Sequence, residues 1–336
     1  MVEARDTFDG MKLPSPRGPL SRLLGDWLNG ASTIDVAAAT AAVDALTGDP
    51  LADDDLQISL WTLYELHYRG FEGVDDTWEW SPELLAVRGR LEKRFENRLR
   101  EVTGASVGSM VGSELPLAET LFAFCADFEG PSPSRLLLRE ATLEQMQTFL
   151  AHRSVYALKE ADPTTFALPR LTGAAKVALA EVQYDEYGAG RAERLHQDMF
   201  AATMEASGLD PTYGRYVDDA PALVLAGNNA QSLFGLHRRL RGAAVGHFAA
   251  FEATSSQPSR RYAGGMRRLG LPEVAPAYYD EHVEADSVHE QIAMRDLCGA
   301  LVADEPELVE DIAFGVAVCL HLDALAATEL MDLWER

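Results

Sequence analysis

The stretch EHVEADSVHE, residues 281–290, sets His282, Asp286 and His289 at positions i, i+4 and i+7. On a helix each residue advances by about 100°, so Asp286 lies roughly 40° from His282 and His289 about 20° the other way. The three side chains fall within one arc of about 60°. Two imidazoles flanking a carboxylate form the donor mix that suits non-haem iron or manganese. A solvated helix face can carry the same residues, so the partners of this triplet decide between the two readings.

Two upstream segments offer partners. VALAEVQYDEYGAGRAERLHQDMFAATMEASGL, residues 177–209, reads as one long helix with Glu186, Glu193 and His196. At helical spacing Glu193 lies roughly 20° from Glu186, and His196 about 80° away. Glu193 has a plainer role available as a surface partner of Arg191 or Arg194. Gly188 and Gly190 weaken the helix by about 0.5–1 kcal/mol each and mark a local bulge. The preceding helix ends HRSVYALKEADP, with Glu160 three residues before Pro163. A carboxylate near a helix C-terminus is unfavourable for the helix dipole, and a bound cation would offset that cost. Glu144 is the competing carboxylate on that helix.

The elements that must hold these residues are all helical. LQISLWTLYELHYRGF (56–71) repeats apolar residues at spacings of three and four. Ser32 or Thr33 is placed to cap an early helix, Ser81-Pro82-Glu83 starts another, and Pro116 and Pro133 open two more, the second running on to Pro163. Further helical stretches cover 220–254, 275–303 and 306–335. No segment alternates with period two, and neither a βαβ rhythm nor a phosphate-cradling glycine motif occurs. The chain therefore reads as an all-α bundle of about ten helices, a fold that places metals among facing helices. Residues 1–20 read as a flexible N-terminal arm, and 21–336 as a single helical domain.

Bulk composition narrows the partners. The 336 residues carry 53 acidic against 29 basic side chains, a net charge of −24, which disfavours nucleic acid. Cys125, Cys298 and Cys319 form no CxxC pair, so they read as buried thiols in a reducing cytoplasm. The N-terminus has no apolar signal core. The apolar run 312–327 contains His321 and Asp323 and reads as a buried helix, with no membrane span expected.

Taken together, these residues resemble the haem-oxygenase-like diiron oxidases and oxygenases, in particular the actinobacterial iron-containing redox enzymes. That family carries a glutamate on one core helix, a glutamate and then a histidine on the next, and His-x3-Asp-x2-His on a later one. The matching positions here are Glu160, then Glu186 and His196, then His282, Asp286 and His289. Glu193 stands where some N-oxygenating members use an extra carboxylate ligand. LYELHYRGF (63–71) and HRSVY (152–156) also resemble the actinobacterial subgroup. The resemblance spans roughly residues 60–330, the expected diiron core, with additional helices before it.

The resemblance implies two Fe(II) ions and no haem, with manganese an alternative in one position. It implies dioxygen as co-substrate, activated through a peroxo-diiron(III) state. One division sets Glu186, His196 and His282 on one ion and Glu160, Asp286 and His289 on the other, with Glu193 assisting. The implied substrate is a small amino acid or amine, oxidised by N-oxygenation, desaturation, C–C cleavage or cyclisation in a biosynthetic pathway. A fatty acid is the alternative. An amino-acid carboxylate calls for arginine, and Arg153, Arg261 and Arg268 are the candidates. His67 and His152 are candidates for the pocket wall, while His237, His247 and His321 read as core or surface residues. An external electron donor is a candidate partner, and a homodimer is the default assembly. An iron store or sensor, and a metal-free helical binding module, are the non-enzymatic alternatives.

Overall fold

The computed structural model describes residues 11–335, apart from the side chains of residues 284–287. Every regular element among the described residues is helical, as the periodicity requires. In chain order the helices are α1 (Pro19–Leu28), α2 (Val36–Ala45), α3 (Asp54–Glu65), α4 (Pro82–Val111), α5 (Leu117–Asp127), α6 (Pro133–Arg139), α7 (Leu143–Ala157) and α8 (Asp162–Thr165). There follow α9 (Gly173–Glu186), α10 (His196–Ala206), α11 (Ala222–Leu236), α12 (Arg241–Arg268), α13 (Ala277–Gln291), α14 (Gly299–Asp304) and α15 (Val309–Glu335).

Local chemistry sets the boundaries. Asp53 and Ser81 cap α3 and α4 by accepting from the Leu56 and Leu84 amides. Asp35, and neither Ser32 nor Thr33, caps α2. The helix expected from Pro133 to Pro163 is interrupted at residues 140–142. There Thr142 and Gln145 form a reciprocal capping box that starts α7 afresh. A π-helical stretch, Ile292–Cys298, joins α13 to α14.

The long helix expected over 177–209 also breaks. Gly188, Ala189 and Gly190 take φ of +82°, +52° and +79°, three successive left-handed residues that no α-helix accommodates. A Cβ on Gly188 would collide with the Arg191 carbonyl. Glu186 therefore ends α9 and His196 begins α10, with a short loop between them.

At the centre, α12 packs on both α13 and α15. Its crossing with α15 is backbone on backbone. A Cβ on Gly246 would meet the Ile312 carbonyl, and one on Gly315 the Ala243 carbonyl. The apolar run on α15 is buried here, Ile312 through Leu320 included. No helix of the described residues is long and apolar enough to cross a membrane. Residues 11–18, expected to belong to a loose arm, lie against the body. Met11 is buried, Ser15 donates to Asp218 from both its amide and its hydroxyl, and Arg17 donates to the Val217 carbonyl at 2.7 Å. Residues 1–10 of that arm lie outside the described part.

Candidate metal centre

Glu160 sits in the turn after α7, where its carboxylate is buried against α13. The Tyr278 hydroxyl donates to Oε2 at 2.6 Å, and His282 Nε2 stands 3.0 Å from Oε1. Tyr278 and His282 are one helical turn apart, so a single face of α13 meets this turn. Glu186, the last residue of α9, places Oε2 at 2.9 Å from Nδ1 of His196, the first residue of α10. The His196 and His282 rings lie 4.6 Å apart between centroids. One donor atom from each of Glu160, Glu186, His196 and His282 falls within 4.8 Å of the others, and all four residues are buried.

A second donor group adjoins the first through Glu186. His289 Nδ1 lies 3.8 Å from Glu186 Oε1 and 3.5 Å from Glu252 Oε2. Glu186, Glu252 and His289 form a compact buried set of their own. Asp185 Oδ2 stands 3.2 Å from His289 Nε2, where it accepts that N–H and directs Nδ1 at the two glutamates. Glu160 thus groups with His196 and His282, and not with His289 as in the division drawn from sequence.

The donor chemistry calls for cations. His282 Nδ1 is 2.8 Å from the Tyr278 carbonyl, which can only accept, so that nitrogen carries the hydrogen. In a neutral ring Nε2 then presents a lone pair to the Glu160 oxygen, and only a shared proton or metal ion reconciles the two. Glu186 Oε2 and His196 Nδ1, and Glu252 Oε2 and His289 Nδ1, are buried facing each other in two pairs without a well-aligned hydrogen bond, and all four atoms belong to the two groups. Burial opposes ionisation of Glu186, but His196, helped by His282 and His289, holds its carboxyl below the usual range. Burial raises the Glu252 carboxyl, with His289 pulling against it and Glu186 adding to the rise. Burial also opposes charging His289, yet Glu252, Asp185 and Glu186 push it up to about 9. Carboxylates and imidazoles competing for protons in a dry site fit a divalent transition metal, iron included.

Sequence reasoning missed Glu252. Its signal was present: it is the only acidic residue of the 28-residue α12, in a chain with 53 acidic side chains. Glu193 lies exposed in the turn before α10, away from both groups, because the glycine break turns it off the face of Glu186. Glu144 is exposed in the first turn of α7. The Asp286 side chain lies outside the described residues. Arg268 donates to the carbonyls of Leu137, Leu138 and Ala141, and Arg261 to Ser134 and Gln257, so both are engaged at α6 or on their own helix. His67 pairs with Glu79 and His237 with Glu92. Burial lowers His247 to about 4, a neutral core imidazole.

A cavity of about 300 Å³ opens beside the first group, with His282, Tyr278, Phe200, Tyr156 and Tyr262 among its lining residues. A smaller one of about 140 Å³ adjoins it and takes in His152. Arg153 and Asp323 line both, 3.7 Å apart.

A sequence model of the iron-containing redox enzyme family matches residues 147–324, just over half of the chain. The chain belongs to that family. Both donor groups fall within the matched stretch, and the all-α haem-oxygenase-like fold is the one the family shares. Among solved structures the chain is similar to a CADD-like protein of unknown function from Nostoc punctiforme. The two are 14% identical with a TM-score of 0.48, over 72% of this chain and 97% of that one. No curated protein matches.

Proposed function

We propose that the protein is a non-haem diiron enzyme that uses dioxygen to oxidise a small amino acid or amine. The observation that carries this reading is the sharing of Glu186 between two buried groups of carboxylates and imidazoles. Glu160, Glu186, His196 and His282 would hold one ion, and Glu186, Glu252 and His289 the other. Asp286, one helical turn from His282, is a proposed further ligand on its sequence position. Iron(II) held there supplies the electrons that reduce dioxygen.

The chain's own residues orient the donors and enclose the substrate. Tyr278 occupies one oxygen of Glu160 and leaves the other toward His282. Asp185 fixes the tautomer of His289. Tyr156, Phe200 and Tyr262 line the cavity beside His282. Arg153 offers a substrate carboxylate two parallel N–H donors, and Asp323 offers an acceptor for its ammonium.

Anaerobic loading with iron(II), followed by exposure to oxygen, tests the reading. The expected result is about two irons per chain, with oxygen uptake accelerated by particular amino acids or amines and lost in Arg153→Ala. A chain that binds no iron, or binds it without oxygen uptake in the presence of any such compound, overturns it.

A further inference from the structure

LYELHYRGF (63–71) closes α3 and lies outside the stretch matched by the family. Its polar residues converge on the donor-bearing segments. Glu65 is fully buried, and its two oxygens have separate partners. Oε2 accepts from Lys159 Nζ at 2.7 Å, and Oε1 from the Tyr213 hydroxyl at 2.7 Å. Lys159 is equally buried, with its ammonium 4.1 Å from the Tyr68 ring centre and 5.5 Å from that of Trp61. A buried ammonium is costly unless its charge is matched, and here one carboxylate and two ring faces match it. Lys159 immediately precedes Glu160.

Arg69 makes the second connection. Its Nη2 donates to the Leu158 carbonyl at 3.1 Å and to Gln197 Oε1 at 3.2 Å, while the guanidinium lies 4.0 Å over the Tyr213 ring. Leu158 lies two residues before Glu160, and Gln197 directly follows His196. One guanidinium therefore ties together two segments that are distant in sequence and that each carry a donor of the first group.

We propose that Glu65 and Arg69 form a clamp that sets the distance between the Glu160 turn and the start of α10. Glu65, Arg69 and Lys159 are positioning residues for the first donor group. Among the described residues no hydrogen bond or ion pair runs from them to Glu252 or His289. The N-terminal helices thus govern one half of the metal centre and not the other. The part of this inference that concerns iron rests on the proposed function.

The test begins with amide hydrogen exchange on the metal-free full-length chain. Arg69 is only half-buried, so Arg69→Met is expected to fold. Exchange should quicken together in peptides covering 157–162 and 195–199, and stay unchanged in 243–250. Arg69→Lys, which keeps one donor, should restore part of the protection. Anaerobic iron(II) titration of Arg69→Met should then show one equivalent weakened by about tenfold and the other unchanged. The double variant Glu65→Gln, Lys159→Met removes both buried charges at similar volume and should give the same asymmetry. Loosening of one segment alone, or of neither, or equal weakening of both equivalents, overturns the clamp. The exchange measurement needs no metal, so a chain that binds no iron sinks the proposed function while the clamp is still decided by exchange.

Discussion

Glu160 reaches the candidate metal centre from a turn, whereas Glu252 reaches it from the interior of the 28-residue α12. The turn is held by bonds from elsewhere: Tyr278 on the Glu160 carboxylate, Glu65 on the Lys159 ammonium and Arg69 on the Leu158 carbonyl. The helix needs no such help, because its packing against α15 fixes it. Distances follow the same division. Contacts in the first group run from 2.6 to 3.0 Å, while those from His289 to its glutamates are 3.5 and 3.8 Å. The first group is the more closely braced of the two, and the second the looser.

The largest effect should come from Glu186, the residue common to both groups. Glu186→Ala is expected to take iron content below one per chain and oxygen-dependent turnover to background, read by metal analysis and oxygen uptake. Retention of one full iron would mean that the sharing is not real. Glu160→Ala should remove the first equivalent and abolish turnover while leaving the second ion bound. Normal turnover in that variant would move attention back to Glu144. Glu252→Ala should weaken the second equivalent by roughly tenfold or more, with Glu193→Ala indistinguishable from the parent. The opposite pattern in an anaerobic titration would restore Glu193 as the extra ligand. The smallest change is Tyr278→Phe, which deletes one hydrogen bond worth about 1 kcal/mol. It should weaken only the first equivalent, by about fivefold. An equal loss at both positions would erase the contrast between a braced group and an open one.

Much of this centre was legible in the sequence. His282 and His289 on α13, and Glu160, Glu186 and His196 upstream of them, have residue types that chemistry restricts, and their spacings survive as numbers along the chain. What could not be read was direction. The angle between Glu186 and Glu193 holds only on a continuous helix, and three left-handed residues at Gly188–Gly190 cancel it. The pairing of Glu160 with His282 depends on how a turn packs against a distant helix, which no periodicity encodes. Glu252 lies in a helix whose face is mostly apolar or small, where a lone carboxylate looks like an ordinary surface position until tertiary packing buries it. The N-terminal residues looked loose because they are polar and Pro-rich, yet Ser15 and Arg17 find partners on the Val217–Asp218 segment, some 200 positions away.

The glycine crossing of α12 with α15 has a consequence for how such an enzyme could change its substrate. Gly246 and Gly315 leave no side chain between the two backbones, so this crossing is a bolt that substitution can jam but not adjust. Glu252 lies less than two turns beyond it. Past Glu252 the same helix runs on through Thr254, Ser255, Pro258 and Ser259, which line the larger cavity. Pro258 removes the amide that would bond the Thr254 carbonyl, loosening the rod between the bolt and its far end. The chamber can therefore be recut at Thr254 or Ser259 while the bolted end keeps Glu252 in register. One end of the helix is thus free to vary at the cavity wall while its other end is fixed by the crossing with α15.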